Sequence, residues 1–188
     1  MHGIVHVELQ KYVIARHGRP VWLDLLKQAG IGNKAYLVSQ QYPDTDIVAL
    51  VTAASAMTKT TVPAVLEDFG EFIVPDLLDM YRPLLKPEWR TLELLEHTEG
   101  TIHSVVRLRN AGAAPPQLQC RRVGPSEVHL RYNSARKMCA VARGIVRGVA
   151  RHFEESVTIV ESACMHRGAP ACKISVKRAA QSSSRLAS

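Results

Sequence analysis

Three polar residues spaced two positions apart, Tyr132, Ser134 and Arg136, carry the most chemistry in this sequence. In an extended chain, side chains two positions apart point to the same face, so a phenol, a hydroxyl and a guanidinium would project together. Arginine pairs with a carboxylate through a planar fork of donors, and hydroxyl groups donate to the remaining oxygens. The segment is therefore suited to holding carboxylates, although an ordinary strand end with polar surface groups would show the same pattern.

Two histidines, His97 and His103, stand on the helix that is predicted just before a loop rich in Gly, Ala and Pro. A neutral imidazole is a common metal ligand in proteins. Each histidine is also compatible with an ordinary position on a helix surface. The residues by themselves do not choose between them.

A second candidate site is formed by Cys139, Cys164 and Cys172. The last two flank the turn of a predicted hairpin, which can bring their thiols together, and Cys139 opens the adjacent helix. Zinc favours tetrahedral sites of thiolate and imidazole ligands, and His166 in the turn is a candidate for the fourth ligand. Zinc binding and thiol redox sensing are two interpretations. Buried free thiols that pack as small hydrophobic groups are a third.

The elements that must position these residues fall into a helical first part and a mixed second part. Apolar spacing, glycine stops and proline starts predict helices at about 5–18, 20–30, 46–57, 63–80 and 88–108. Asp44 and Thr61 are expected to cap the third and fourth helices, and Pro75 is expected to kink or split the fourth.

The second part alternates between apolar and polar residues in the manner of strands. Residues 117–132 predict a hairpin that turns at Gly124 and Pro125, residues 136–154 predict a helix, and 157–163 with 171–176 predict a second hairpin. The predicted fold class is therefore α+β, with a helical N-terminal part packed on a four-stranded antiparallel sheet and its helices.

Length and composition point to one domain. A chain of 188 residues with 46% hydrophobic and 22% charged residues can bury one good core. The first residues lack an export signal, and no apolar stretch reaches the roughly 18 residues of a membrane span. Four cysteines do not make a disulfide scaffold at this length. We therefore expect a soluble cytoplasmic protein without a membrane partner.

The charge is unevenly distributed along the chain. The formal net charge is +7; residues 1–100 contain 9 basic and 13 acidic residues, and residues 101–188 contain 15 and 4. Arg143, Arg147 and Arg151 recur every four residues and predict a basic stripe on one helix face. A solvated face explains the stripe, and a docking surface for an acidic partner is the alternative. No nucleic-acid recognition motif accompanies the charge, so no nucleic-acid partner is expected.

Enzymatic motifs are absent from the sequence. It contains no Gly-rich phosphate loop, no Gly-x-Ser-x-Gly elbow, no His-Glu-x-x-His helix and no evident pair of catalytic carboxylates. The chain is therefore not expected to be an enzyme.

The segment Tyr132, Ser134 and Arg136 matches Tyr-x-Ser-x-Arg, and with this motif the sequence resembles the heme-nitric oxide/oxygen binding (H-NOX) family. That family includes the sensor domain of the soluble guanylate cyclase beta subunit. The resemblance starts with Met-His-Gly-Ile-Val at residues 1–5, continues through Tyr-Pro-Asp at 42–44 and Phe-Gly at 69–70, and reaches about residue 176. It implies a stand-alone domain of bacterial type over 1–178, with a helical subdomain at about 1–60, a heme-carrying subdomain at 61–178 and a disordered tail at 179–188.

The resemblance also implies the roles of individual residues. The three hallmark residues would hold the propionates of a heme b, and the spacing of family motifs selects His103 as the proximal iron ligand. The implied pocket includes Pro116 and Cys120, and it surrounds the sixth coordination site with Val5, Leu9, Ile73, Leu77, Val141 and Ile145. None of these six side chains donates a hydrogen bond, which favours nitric oxide and carbon monoxide over dioxygen.

The function that the resemblance implies is gas sensing. Nitric oxide would weaken the bond between the iron and His103, and the resulting movement would signal to a separate protein. Relatives of this type pair with histidine kinases or cyclic-di-nucleotide enzymes, and some bind zinc through four cysteines, of which this chain supplies three. The alternative is a domain of the same fold without heme that binds another ligand or senses zinc or thiol redox state.

Overall fold

The computed structural model describes residues 1–110 and 112–180, and within them the helices come mostly first and the strands last. The helices are α1 (Gly3–His17), α2 (Arg19–Gln28), α3 (Asp44–Thr58), α4 (Val62–Phe72), α5 (Val74–Met80), α6 (Thr91–His97), α7 (Ser104–Arg109) and α8 (Cys139–His152). A π-helical turn, Thr98–His103, joins α6 to α7. The strands are β1 (Gln117–Gly124), β2 (Glu127–Asn133), β3 (Val157–Ala163) and β4 (Cys172–Arg178). The predicted α+β class is confirmed.

The four strands form one antiparallel sheet in the order β1-β2-β4-β3. Both predicted hairpins are present, and β2 pairs with β4 in the centre of the sheet. Alternation places Val128, Leu130 and Tyr132 on the inner face of β2, where they pack against buried residues of β4 and α8. The other face of the sheet carries polar side chains.

The helical part has its own buried core, to which α1, α2, α3 and α4 contribute. Leu9, Leu25, Leu50 and Phe69 lie at its centre with almost no exposed surface. Helix α2 begins with Pro20 in its first turn, and Gly18, with φ 88°, separates it from α1. Thr61 caps α4 by accepting a hydrogen bond from the Ala64 N–H at 3.4 Å, as predicted.

Helices α4 and α8 are in direct backbone contact. A Cβ atom on Gly144 would overlap the carbonyl oxygen of Glu67, and one on Gly70 would overlap the carbonyl oxygen of Val141. Glycine at these positions removes that obstacle. The close approach fixes the position of the α8 residues Val141 and Ile145 relative to α4 and to Ile73, which follows it.

Several helix boundaries differ from the predictions. The helix predicted at 63–80 is split at Ile73, which agrees with the expectation for Pro75. The helix predicted from residue 88 begins at Thr91, because the Arg90 and Thr91 N–H groups donate to the carboxylates of Glu93 and Glu155 at 3.2 and 3.1 Å. Its π-helical section was not predicted.

The start of α8 and the role of Asp44 were also predicted wrongly. Helix α8 begins at Cys139 instead of 136, because Lys137 adopts a left-handed backbone with φ 50° that ends the preceding turn. Pro43, not Asp44, is the N-cap of α3. The Asp44 carboxylate instead accepts hydrogen bonds from the amino group of Met1 and from Arg136.

The basic stripe of α8 is only partly a solvated face, because its arginines are paired with carboxylates while the side chains of Arg147 and Arg151 remain 47% and 76% exposed. Its three arginines pair with glutamates from α4 and β3: Arg143 with Glu67 and Glu161, Arg147 with Glu67, and Arg151 with Glu71. Sequence spacing placed the arginines on one face but gave no indication that the carboxylates of α4 lie opposite. The stripe therefore joins α8 to its neighbours.

Within the described ranges, no single helix is long and apolar enough to cross a membrane. Helices α3 and α4, which are bent relative to each other, meet the length and composition criteria only when taken together. Residue 111 of the predicted loop and residues 181–188 of the predicted tail lie outside the described residues. Ala179, at the start of that tail, donates its N–H to the Ser156 carbonyl at 2.8 Å.

Candidate functional site

His103 is the last residue of the π-helical turn and faces an apolar pocket. Residues of α5, α6, α7, α8 and the π-helical turn line this pocket, among them Leu77, Ile102, Ile145 and Val149. Only 14% of the His103 side chain is exposed. The π-helical turn inserts extra backbone into a helix, a distortion that often occurs at functional sites.

The imidazole of His103 is held in one orientation. Its Nδ1 lies 2.9 Å from a carboxylate oxygen of Glu99, which also accepts hydrogen bonds from the Leu118 N–H and from Arg107. Burial lowers the pKa of His103, and the nearby Glu99 offsets this only in part, so the ring is neutral near pH 7. Donation from Nδ1 to Glu99 places the lone pair on Nε2, the arrangement of a metal-ligating histidine.

Glu99 is a functional residue that the sequence predictions missed. Burial alone would raise its pKa, but hydrogen bonds from His103, Arg107 and Leu118 keep the pKa below its ordinary value. The carboxylate is therefore ionised next to the imidazole. An acidic residue four positions before a candidate histidine is the signal that could have revealed it.

His97 has a different environment. Its exposed ring stacks on Trp89, with centroids 4.6 Å apart and an interplanar angle of 10°. His97 is not among the described residues that line the pocket around His103. The geometry therefore favours His103 over His97 as a ligand.

The hallmark residues Tyr132, Ser134 and Arg136 lie close together, but they do not project from one face of a strand. Strand β2 ends at Asn133, so Ser134 and Arg136 lie in the turn that follows, and the extended geometry predicted for them is wrong. Tyr132 is buried, and its Oη accepts the Met138 N–H at 3.1 Å. Burial raises the pKa of Tyr132 to about 12, against hydrogen bonds with Ser134 and Met138. The turn, not the strand, brings the three together.

Arg136 joins three distant segments. Its Nε donates to Asp44 at 2.9 Å, and its Nη1 donates to the carbonyl of Ala114 at 2.6 Å. The neighbouring Pro115 lines the pocket of His103, so the guanidinium stands close to that pocket. These two hydrogen bonds leave further N–H donors of the guanidinium for a carboxylate.

The six residues predicted to surround the sixth coordination site differ in their position relative to the His103 pocket. Leu77 and Ile145 line the pocket of His103. Ile145 also packs against the core of the helical part, where Leu9 and Ile73 are buried and Val5 and Val141 are partly buried. Four of the six predicted distal residues, Val5, Leu9, Ile73 and Val141, therefore belong to the core of the helical part and are not among the residues that line the His103 pocket.

The structure places the two remaining predicted pocket residues differently. Cys120 packs against the sheet core and is not among the residues that line the His103 pocket. Burial raises the pKa of the Cys120 thiol to about 12. Pro115 lines the pocket instead of Pro116, although the Pro116 carbonyl is close enough to the His103 ring to affect its pKa.

The donor set fits a heme. A heme requires an axial ligand, an apolar cleft and donors for two propionates. The imidazole of His103 would supply the first, the pocket lined by Leu77 and Ile145 would supply the second, and Arg136 with Ser134 would supply the third.

A separate cluster of thiols lies between the sheet and α8. Ligand atoms of Cys139, Cys164, Cys172 and Glu161 all lie within 4.8 Å of one another. The Cys164 sulfur is 3.8 Å from that of Cys139 and 4.0 Å from that of Cys172. Burial raises the pKa of Cys139 and Cys172, which keeps both thiols protonated near pH 7.

The predicted fourth ligand is not part of this cluster. His166 lies outside it, with Nε2 2.7 Å from the carbonyl oxygen of Lys137. Glu161 takes its place, because the pairing of β3 with β4 sets Glu161 opposite Ile174 on the inner face of the sheet. Glu161 is itself engaged by Arg143 at 2.9 Å.

Comparisons with known proteins agree with this geometry. Residues 2–161 match the family model described as Haem-NO-binding. The chain is 27% identical over 161 residues to soluble guanylate cyclase gcy-34 and 25% identical over 171 residues to gcy-32, both from Caenorhabditis elegans. The matches cover 80% and 85% of this chain but only 23% and 24% of those proteins.

Solved H-NOX structures share the fold. An H-NOX protein from S. oneidensis in the Fe(II)NO ligation state superposes with a TM-score of 0.89 at 24% identity, covering 96% of this chain and all of the other. An unliganded Fe(II) H-NOX protein from K. algicida gives a TM-score of 0.85 at 22% identity, covering 96% of this chain and 97% of the other. H-NOX domains are heme-binding gas-sensor domains without catalytic activity of their own. The family model spans most of the sequence, and this chain belongs to the Haem-NO-binding family.

Proposed function

We propose that this chain is a cytoplasmic nitric oxide sensor that binds heme b through His103. The observation that carries the proposal is the buried, neutral imidazole, whose Nδ1 is held by Glu99 and which faces an apolar pocket. In this state Nε2 carries the lone pair that would bind the iron, and the ionised Glu99 would increase its basicity. Tyr132, Ser134 and Arg136 would hold the propionates.

The selectivity for gases follows from the side chains opposite His103. Bound dioxygen is stabilised by a hydrogen-bond donor, whereas nitric oxide and carbon monoxide do not need one. The predicted distal residues are Val5, Leu9, Ile73, Leu77, Val141 and Ile145, which are all aliphatic. The proposed pocket therefore binds nitric oxide and carbon monoxide and holds dioxygen weakly or not at all.

Signalling would use the helix that carries His103. Bound heme would supply the iron at which the gas binds, and the hold of the iron on Nε2 of His103 would weaken once nitric oxide is bound. The ring would keep its hydrogen bond to Glu99, and the π-helical turn and α7 would then shift relative to α8. A separate protein would receive this change, with a histidine kinase or a cyclic-di-nucleotide enzyme as the expected partner, and neither nucleic acid nor membrane is needed.

Reconstitution of the purified chain with hemin tests the proposal. We expect one heme per chain, with a Soret band that shifts to a five-coordinate nitrosyl form when nitric oxide is added. His103→Ala should reduce heme retention, while the matched variant His97→Ala should behave as wild type because His97 stacks on Trp89 outside the pocket. Protein that stays colourless with hemin would favour the alternative of a heme-free domain.

Zinc binding or thiol redox sensing is a second candidate function. The convergence of three cysteines with Glu161 supports it, since four such ligands suit a tetrahedral ion. Binding would require Glu161 to leave Arg143, or a solvent molecule to take the fourth position. Zinc content of wild type, Cys164→Ser and the control Cys120→Ser decides the matter: loss confined to Cys164→Ser supports the site, and no zinc in any of the three removes it.

A further inference from the structure

A groove of about 570 Å³ separates α3 and α4 from the turn after β2 and from the short helix Met165–Arg167. We call it the α3–α4 groove. Its two sides differ in character. The α3 and α4 side contributes mainly aliphatic residues, including Ile47, Val48, Val51, Val62 and Leu66. The opposite side contributes the basic residues Arg136, Lys137, Arg143, His166 and Arg167, together with one carboxylate, that of Glu161, which is paired with Arg143.

Both sides offer unused binding capacity. Val48 is 61% exposed and Val62 is 36% exposed, and both line the groove. Lys137 forms no ion pair within the described part of the chain, and Arg167 approaches a carboxylate only at 4.0 Å, where Glu161 lies. The arginines of α8, in contrast, are paired with glutamates.

Lys137 adopts a backbone conformation that lysine rarely takes. Lys137 has φ 50°, a left-handed conformation that non-glycine residues rarely adopt. His166 holds the turn in place, with Nε2 2.7 Å from the Lys137 carbonyl oxygen. Such strained positions persist where the surrounding structure fixes them, and they cluster at binding sites. Lys137 is thus presented to the groove beside Arg167.

We propose that the α3–α4 groove binds an amphipathic acidic segment of a partner protein. Apolar side chains of that segment would cover Val48 and Val62, and its carboxylates would pair with Lys137 and Arg167. The positive charges are spread over one side of the groove, which matches one face of a peptide better than the single charged end of a fatty acid. The described lining contains no Phe, Tyr or Trp on which nucleic-acid bases would stack.

The groove also adjoins the proposed sensor site. Arg136 belongs both to its lining and to the hallmark motif, and it pairs with Asp44 at the start of α3. An occupant would therefore contact both the predicted N-terminal subdomain and the turn that holds the propionates. The inference rests on the proposed function only in assuming a separate signalling partner.

A designed peptide tests the groove directly. The probe is a short, fluorescein-labelled, helix-forming peptide with leucines on one face and glutamates on the other, and its companion carries lysines in place of the glutamates. Fluorescence anisotropy with the purified full chain should show binding of the glutamate peptide alone. Lys137→Glu combined with Arg167→Glu, and separately Val48→Asp, should weaken that binding about tenfold or more.

The control removes equal charge elsewhere. Arg121 and Lys173 are exposed residues outside the groove, on the outer face of the sheet. Arg121→Glu combined with Lys173→Glu should leave binding close to wild type. If both double variants weakened peptide binding equally, the loss would be due to net charge alone, and the inference would be overturned. Failure of the glutamate peptide to bind the wild-type protein would also overturn it.

Heme spectra separate the two proposals. The Lys137→Glu, Arg167→Glu variant should keep the Soret band and nitric oxide response of wild type, because neither side chain lines the pocket of His103. In the wild-type protein, normal heme spectra without binding of the glutamate peptide would overturn only the groove. Peptide binding by a protein that takes up no heme would overturn only the sensor.

Discussion

The Nδ1 atom of His103 lies 2.9 Å from a carboxylate oxygen of Glu99, four residues earlier in the chain. The same carboxylate accepts the N–H of Leu118 on β1 at 3.0 Å, so it links the π-helical turn to the sheet. The orientation of the proposed ligand is thereby tied to the sheet and not only to its own helix. A change at the ligand would be transmitted through this carboxylate.

Glu99→Gln should weaken the hold on His103 without removing it. A neutral amide neither fixes the tautomer nor increases the basicity of Nε2 as a carboxylate does, and loss of such partners typically lowers metal affinity about 10- to 100-fold. Hemin titration should show the lower affinity, and the iron–histidine stretching frequency should fall. The control is Glu96→Gln, since Glu96 pairs with Arg122. Equal effects in both variants would contradict the role of Glu99.

His6 should make the stability of the protein depend on pH. It is fully buried, both ring nitrogens are without a partner among the described residues, and the ring stacks on Tyr36 with centroids 4.4 Å apart. Burial lowers the pKa of His6 from 6.5 to about 4, against the attraction of Asp46. The unfolded chain therefore binds a proton that the folded chain does not bind in this range.

The free energy of unfolding should accordingly fall by about 2–3 kcal/mol as the pH is lowered from 6.5 to about 4. The full stability is present above the unfolded pKa. Urea unfolding across this pH range measures the effect. His6→Phe keeps a ring against Tyr36 and should flatten the profile, whereas the control His17→Gln on the surface should not. A profile for His6→Phe as steep as that of wild type would show that another group is responsible.

Val141→Tyr should introduce dioxygen affinity into the heme-loaded protein. Val141 is a predicted distal residue that packs beside Ile145 and the core of the helical part. A phenol there would supply the missing donor to bound dioxygen. The matched variant Val141→Phe fills similar space without a hydroxyl and should stay unresponsive. Absorption spectra in air distinguish the two, and an oxygen complex in both or in neither would contradict the argument from the donor.

Gly144→Ala should destabilise the fold. The added methyl group would overlap the Glu67 carbonyl oxygen, so α4 and α8 would have to separate, at a typical cost of about 1–3 kcal/mol. Gly100→Ala is the matched control, because a Cβ atom there meets nothing within 4 Å. It should be neutral or stabilise by up to about 1 kcal/mol. Thermal unfolding of both variants checks this, and equal stability would contradict the close packing.

Local patterns predicted much of this fold and less of its sites. Strand alternation and the turn at Gly124 and Pro125 predicted both hairpin strands of β1 and β2, because burial on one face leaves a period of two in the sequence. The π-helical turn has no comparable signature, since its apolar spacing is close to that of an α-helix. Glu99 therefore remained outside the predicted site.

Long-range placement accounts for the other differences. Glu161 joins the thiol cluster because strand pairing sets it beside β4, and Asp44 reaches Arg136 across 92 residues of sequence. The arginines of α8 pair with α4 for the same reason. Such contacts depend on how elements dock, and spacing within one element does not contain that information.

Imidazole rescue of His103→Gly tests the central claim most directly. The cavity left by the side chain should admit free imidazole, which would replace the lost Nε2 ligand on the iron. The variant reconstituted with hemin should lose the ferrous spectrum of wild type and regain it when imidazole is added. A wild-type ferrous spectrum without imidazole would show that His103 does not bind the iron.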